Sequence, residues 1–114
     1  MVLVVDDDHA IRVLLRQILS DEFEVDTADS ATAALEQAGD RQYDIVILDI
    51  MLRDHLDGTD VMRHLRGDRS YKDVRIIAIT GYDRAGTRRE LLQQGFDEYV
   101  RKPFSKRELQ SVIT

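Results

Sequence analysis

Asp44-Ile45-Val46-Ile47-Leu48-Asp49 is the stretch that decides the fold. Four apolar residues run without a break and end on a carboxylate. Such a run has no solvent face, so it reads as a strand buried on both sides, as in the middle of a parallel sheet. Val2-Leu3-Val4-Val5 is a second run of this kind and ends in Asp6-Asp7-Asp8. Val74 to Ile79 is a third, interrupted only by Arg75, and ends at Thr80-Gly81. In open α/β sheets ligands bind at the carboxyl edge of the strands, which makes Asp49 the first functional candidate.

Between these runs the period becomes helical. Ile11, Leu14, Leu15, Ile18 and Leu19 recur on one side of a helix from Asp8 to about Ser20, with Arg12, Arg16 and Gln17 between them. Ser30 is placed to cap a helix through Ala38, which Gly39 should stop. Asp57-Gly58 opens a helix that turns Val61, Met62 and Leu65 inward, and Gly67 closes it. Asp83 to Gln94 reads as a weak helix, with Gly86 near its start and Ala85, Leu91 and Leu92 as its only apolar residues. Ser105 and Glu108 form a capping box for a last helix carrying Leu109, Val112 and Ile113. Two mixed segments, Phe23 to Ala28 and Asp97 to Val100, suit sheet edges.

The order is strand then helix, five times over. It predicts a flavodoxin-like (βα)5 three-layer α/β sandwich, with right-handed crossovers. The apolar runs belong in the centre and the mixed strands at the edges. This gives the strand order 2-1-3-4-5, with the switch point between the first and third strands. The 114 residues are expected to form one domain, 1–114, without linker, repeat or low-complexity segment.

Composition narrows the function. Asp and Glu number 22 against 16 Lys and Arg, a formal net charge of -6, which argues against direct nucleic acid binding by this domain. The absence of cysteine removes disulfides, thiolate metal sites and cysteine nucleophiles. His9, His55 and His64 are scattered without metal-ligand spacing. No stretch is apolar enough to span a membrane and no signal peptide is visible, so a cytoplasmic location is expected.

The predicted sheet brings a particular set of side chains to one edge. The first strand delivers Asp6 and Asp7, the third Asp49, the fourth Thr80, and the fifth, through a short connection, Lys102. Three carboxylates beside the switch point repel one another, and a bound cation resolves the conflict. An all-oxygen set of a few carboxylates suits Mg²⁺, which shares itself with phosphate oxygens. Lys102 is a point charge suited to a phosphoryl group, and Thr80 offers a hydroxyl. The combination fits an aspartate that accepts phosphate as an acyl phosphate. Taken singly, each residue has a plainer explanation. Asp6 and Asp7 could compensate a helix dipole, although Asp8 can already cap that helix. Asp49 could be a solvated strand end, Thr80 a turn hydroxyl, and Lys102 a surface lysine before a turn proline.

Val4-Val5-Asp6-Asp7-Asp8, Ile47-Leu48-Asp49-Ile50-Met51-Leu52, Asp57-Gly58, Ile79-Thr80-Gly81 and Lys102-Pro103-Phe104 together resemble the response-regulator receiver domain of two-component phosphorelays, in order and spacing, over nearly the whole chain. The resemblance implies that Asp49 is the phosphoacceptor. Asp6 and Asp7 would hold Mg²⁺ with Asp49 and the Met51 carbonyl, while Thr80 and Lys102 contact the phosphoryl group. Tyr99 matches the aromatic switch position, and the Lys102–Pro103 bond would be cis. The donor would be a sensor histidine kinase or a histidine phosphotransfer protein. The responding face would comprise the fourth helix, fifth strand and fifth helix, which could also support a homodimer. Tyr82 would lie near the site by the same resemblance, and its ring is then expected to hinder attacking water and slow hydrolysis of the phosphoaspartate. Arg53 stands where the family usually has proline, the loop after Asp49 is one residue longer than the commonest form, and Phe96 replaces a small residue.

Three rivals use related parts. A phosphatase of the haloacid-dehalogenase type needs a second Asp two residues after its nucleophile, where this chain has Met51. A flavodoxin-like electron carrier needs a Ser/Thr/Gly-rich phosphate loop, where this chain has three aspartates that would repel the flavin phosphate. A pseudo-receiver used only for docking or dimerisation is countered by the intact set of Asp6, Asp7, Asp49, Thr80 and Lys102.

Overall fold

A computed structural model describes residues 1–52, 55–81 and 86–113. Its strands are β1 (Val2–Val5), β2 (Val25–Ala28), β3 (Ile45–Asp49), β4 (Arg75–Thr80) and β5 (Glu98–Arg101). Its α-helices are α1 (His9–Leu19), α2 (Ala31–Asp40), α3 (Gly58–Arg66), α4 (Thr87–Gln94) and α5 (Lys106–Ile113). The strands form one parallel sheet in the order β2-β1-β3-β4-β5, as the hydrophobic pattern predicts.

Side chains of the central strands alternate between two cores, because successive residues of a strand face opposite sides. Leu3, Val5, Val46, Leu48, Ile76 and Ala78 pack with residues of α2, α3 and α4. Val2, Val4, Ile45, Ile47, Ile77 and Ile79 pack with Leu15 and Leu19 of α1 and Leu109 and Ile113 of α5. Burial on both faces explains why these strands are unbroken apolar runs. At the open edge of β2, Arg16 donates to the Val25 carbonyl (3.3 Å) and Gln37 to the Thr27 carbonyl (3.1 Å). Side chains from the two flanking helices thus occupy edge acceptors that could otherwise pair with another chain.

Several details depart from what the sequence predicts, beyond one-residue shifts in β4 and β5. Gly39 does not stop α2, which runs to Asp40, with the Arg41 N–H bonded to the Gln37 carbonyl. Tertiary contacts outweigh the propensity cost of that glycine: Ala38 is buried, and the Tyr71 hydroxyl donates to its carbonyl at 2.7 Å. β2 starts at Val25, because the Phe23 N–H is drawn into the end of α1 by the Leu19 carbonyl (3.0 Å). Of the helix expected over Asp83–Gln94, the first residues lie outside the described ones; α4 as described is Thr87–Gln94, with Gly86 at φ +90° as an N-cap with no side-chain hydrogen bond. A single 3-10 turn, Arg69–Tyr71, capped by Asp68, fills a stretch with no periodic signal.

The cap predictions hold elsewhere. Asp8 accepts from Ala10 N–H, Ser30 from Ala33 N–H, and Asp57 forms a reciprocal box with Asp60. Ser105 Oγ accepts from Glu108 N–H and donates to Glu108 Oε1.

Candidate functional site

Each carboxylate reaches the sheet edge because the strand beneath it has run out of apolar surroundings. Asp6 follows β1 directly and Asp49 is the last residue of β3; the adjacent register Val5↔Leu48 brings the two ends side by side. Both are buried, with 1% and 4% of their surface exposed, and Asp7 is half-buried beside them. One oxygen from each of Asp6, Asp7 and Asp49 lies within 4.8 Å of the others. This is the only such acidic grouping among the described residues.

Lys102 enters from the far side. Its N–H bonds the Thr80 carbonyl (2.8 Å), which fastens the end of β5 to the end of β4. Its ammonium lies 2.8 Å from Asp6 Oδ2 and 3.4 Å from Asp49 Oδ2. The following bond to Pro103 is cis, as the resemblance implies. Thr80 is the last residue of β4 and is buried. Tyr99 of β5 is half-buried against the α2–α3–α4 core. It pairs with Ala78, two residues before Thr80, so Tyr99 and Thr80 share one face of the sheet. Met51 is exposed, and its N–H donates to Asp49 Oδ1 at 3.1 Å. Arg53 and Tyr82 lie outside the described residues.

The electrostatics follow from burial and crowding. Loss of solvation, and then repulsion from Asp6, push the Asp49 carboxyl up to about 6, against the opposing pull of Lys102 and the Met51 N–H. Burial works against the Lys102 charge, but its close contact with Asp6 and the two carboxylate charges outweigh it and raise its pKa above the ordinary lysine value. Asp6 Oδ2 is buried, with the Lys102 ammonium beside it but no hydrogen bond of ordinary geometry among the described residues. Carboxylate oxygens, and no nitrogen or sulfur donor, make up the cluster. That donor chemistry suits a hard divalent cation.

Two residues contribute through contacts that the sequence does not show. A Cβ on Gly58 would lie 2.3 Å from the Asp49 carbonyl oxygen, so only glycine lets the start of α3 lie against the end of β3. Asp57-Gly58 reads as a helix start in the sequence, but its contact with Asp49 is long-range. Arg12 of α1 donates to the Asp6 carbonyl at 2.7 Å; among the polar residues of an amphipathic helix nothing distinguishes it.

The model of the response regulator receiver domain family matches residues 2–114. The chain belongs to this family. The receiver domain shares 38% identity over 109 residues with the response regulator MprA of Mycobacterium tuberculosis (strain ATCC 25618 / H37Rv), covering 95% of this chain and 46% of that protein. It is 32% identical over 115 residues to the sensor protein GacS of Pseudomonas syringae pv. syringae, covering 98% of this chain and 13% of that protein. The chain therefore spans about half the length of the response regulators it matches. Among solved structures, the receiver domain of NtrX from Brucella abortus superposes with a TM-score of 0.89 at 32% identity, covering 99% of this chain and 94% of that one. The Vibrio cholerae chemotaxis protein CheY4 gives a TM-score of 0.89 at 27% identity, covering 98% and 93%. This receiver domain is thus a signalling domain of two-component systems, with the acidic cluster at which such domains typically bind Mg²⁺. Among the described residues no helix is long and apolar enough to cross a membrane.

Proposed function

We propose that this domain accepts a phosphoryl group on Asp49, in a Mg²⁺-dependent reaction, from a phosphohistidine of a sensor histidine kinase or histidine phosphotransfer protein in the cytoplasm. The carrying observation is the edge itself: three carboxylates within 4.8 Å, with one lysine ammonium against two of them. In the transfer, an Asp49 oxygen forms a bond to phosphorus. The P–N bond breaks, and its electron pair stays with the departing imidazole. Asp6, Asp7 and Asp49 would hold the cation together with the Met51 carbonyl. When bound, Mg²⁺ supplies Lewis-acid neutralisation of the phosphoryl oxygens. Lys102 adds a second positive charge on the Oδ2 side of Asp49, so the chain acts mainly by positioning and electrostatics. On this reading the domain catalyses only its own phosphorylation and dephosphorylation.

The phosphoryl group adds about one to two negative charges. Thr80 would turn its hydroxyl toward it and Tyr99 would move into the space released, a coupling supported by their common sheet face. The altered surface would comprise α4, β5 and α5, where a partner or a second copy of the chain binds. α4 suits such a switch, because it buries only Thr87 and Leu91 and has no side-chain N-cap.

The test is intact mass after incubation with acetyl phosphate, with and without Mg²⁺, beside Asp49→Asn. One phosphoryl adduct that needs both Mg²⁺ and Asp49 is expected. Absence of both adduct and Mg²⁺ binding would replace this reading with that of a docking module.

A further inference from the structure

We infer that Arg12 is a positioning residue for the acidic cluster: it fixes the Asp6–Asp7 peptide and so the carboxylates that hold the divalent cation. This rests on the reading of Asp6, Asp7 and Asp49 as a cation site. Arg12 lies one turn into α1, where its N–H bonds the Asp8 carbonyl (3.1 Å). Its half-buried side chain folds back over that turn. Nη1 donates to the Asp6 carbonyl at 2.7 Å, while Nη2 lies 3.4 Å from His9 Nδ1, so the guanidinium is held at both ends.

Asp6 is tied at each of its polar atoms. Its N–H bonds the Ala28 carbonyl (3.1 Å) on β2, its Oδ1 accepts from Asp8 N–H (2.9 Å), and its Oδ2 faces Lys102 (2.8 Å). The carbonyl is the remaining tie, and among the described residues Arg12 supplies it. That carbonyl belongs to the peptide linking Asp6 to Asp7, so rotation of its plane changes the separation of the two carboxylates. The neighbouring Asp8 side chain cannot take over, because a carboxylate only accepts, and it accepts from Ala10 N–H.

Charge and geometry make opposite predictions for this residue. A guanidinium close to a cation site repels the cation, so by Coulomb's law alone removing it would tighten binding. A positioning role means that removing it weakens binding. Partners that orient metal ligands typically contribute about 10–100-fold in affinity.

The experiment is calorimetric titration of Mg²⁺ into the full chain for wild type, Arg12→Met, Arg12→Gln and Arg12→Lys, with urea unfolding of each in chelator. All four side chains are good helix formers, so α1 is preserved. Wild type is expected to bind Mg²⁺, Arg12→Met to bind about tenfold more weakly or worse, and Arg12→Lys to recover part of the loss. A merely structural role would lower the urea midpoint and leave the affinity of the folded protein unchanged. If Arg12→Met does not fold, Arg12→Gln decides by the same comparison. Affinity equal to or tighter than wild type in the neutral variant overturns the positioning role. Failure of wild type itself to bind Mg²⁺ overturns the cation-site reading on which it rests.

Discussion

Replacing Asp49 by asparagine should stabilise the metal-free protein, and the size of the effect follows from the site. Burial and the neighbouring Asp6 charge raise the Asp49 carboxyl from 3.8 to about 6. Every tenfold gain in proton affinity corresponds to about 1.4 kcal/mol between the two protonation states. The sign follows from proton linkage: the native state binds this proton more tightly than the unfolded chain. Below about pH 4 both states hold it and there is no penalty. As pH rises, the unfolded chain ionises first, and native stability is lost until Asp49 itself ionises near pH 6. Above that the full penalty stands, about 3 kcal/mol, already net of the attraction to Lys102. Asparagine keeps the shape and can still accept from Met51 N–H, but carries no charge. Urea unfolding in chelator at pH 7.5 should therefore show Asp49→Asn more stable by about 2–3 kcal/mol, a midpoint about 1–2 M higher. The gap should shrink to about 1 kcal/mol at pH 4.5, with the carboxylates remote from the site cancelling in the comparison. A variant no more stable at pH 7.5, or a gap that does not change with pH, would refute the assignment of the strain to a buried Asp49 charge.

Gly58→Ala places a methyl group 2.3 Å from the Asp49 carbonyl oxygen and 3.0 Å from the Ile50 Cα, all backbone. It should cost about 1–3 kcal/mol in urea unfolding and lower the yield of phosphorylated protein by mass; wild-type values for both would show that α3 can shift freely. Tyr71→Phe removes the donor to the Ala38 carbonyl at the end of α2, with an expected loss of about 1–2 kcal/mol; an unchanged urea midpoint would mean the bond is not stabilising. Arg66→Met removes bonds to the Gly95 carbonyl (3.0 Å), the Val74 carbonyl (3.0 Å) and Asp97 (2.7 Å). Amide exchange should then quicken at the α4–β5 corner, around 95–98, well beyond any change in β1; uniform change along the chain would point to global destabilisation instead.

The parts of this protein legible in its sequence are those governed by local period and by strand ends. Ile45–Leu48 announces a strand buried on both faces because both faces are filled, by α1 and α5 on one side and α2 and α3 on the other. The residues closing such strands have to meet at one edge, so Asp6, Asp49, Thr80 and Lys102 can be placed there from the chain's pattern alone. The errors lie where distant contacts decide. Gly39 carries a local stop signal, but the packing of Ala38 and the Tyr71 hydroxyl extend α2 past it. Phe23 alternates like a strand residue, but the Leu19 carbonyl holds its N–H. Gly58 and Arg12 act on the site through backbone atoms, and a side-chain pattern does not register a contact to a carbonyl.

The edge also shows why Lys102 belongs to folding as much as to chemistry. Without a cation, its ammonium is the main positive charge against two buried carboxylates, Asp6 at 2.8 Å and Asp49 at 3.4 Å. It leaves Asp49 still raised to about 6, so a single lysine does not neutralise the cluster. A divalent cation would relieve what remains, and on the proposed reading it would free Lys102 to face the phosphoryl oxygens. On the proposed reading, the charge expected to cost about 3 kcal/mol in the metal-free fold, against total stabilities of about 5–15 kcal/mol, would become driving force for binding the cation. A site built for stability alone would have placed an amide at 49. On the proposed reading, the carboxylate there, with Asp6 held against it by β2, Asp8, Lys102 and Arg12, keeps its charge close to Asp6 so that a cation can join them.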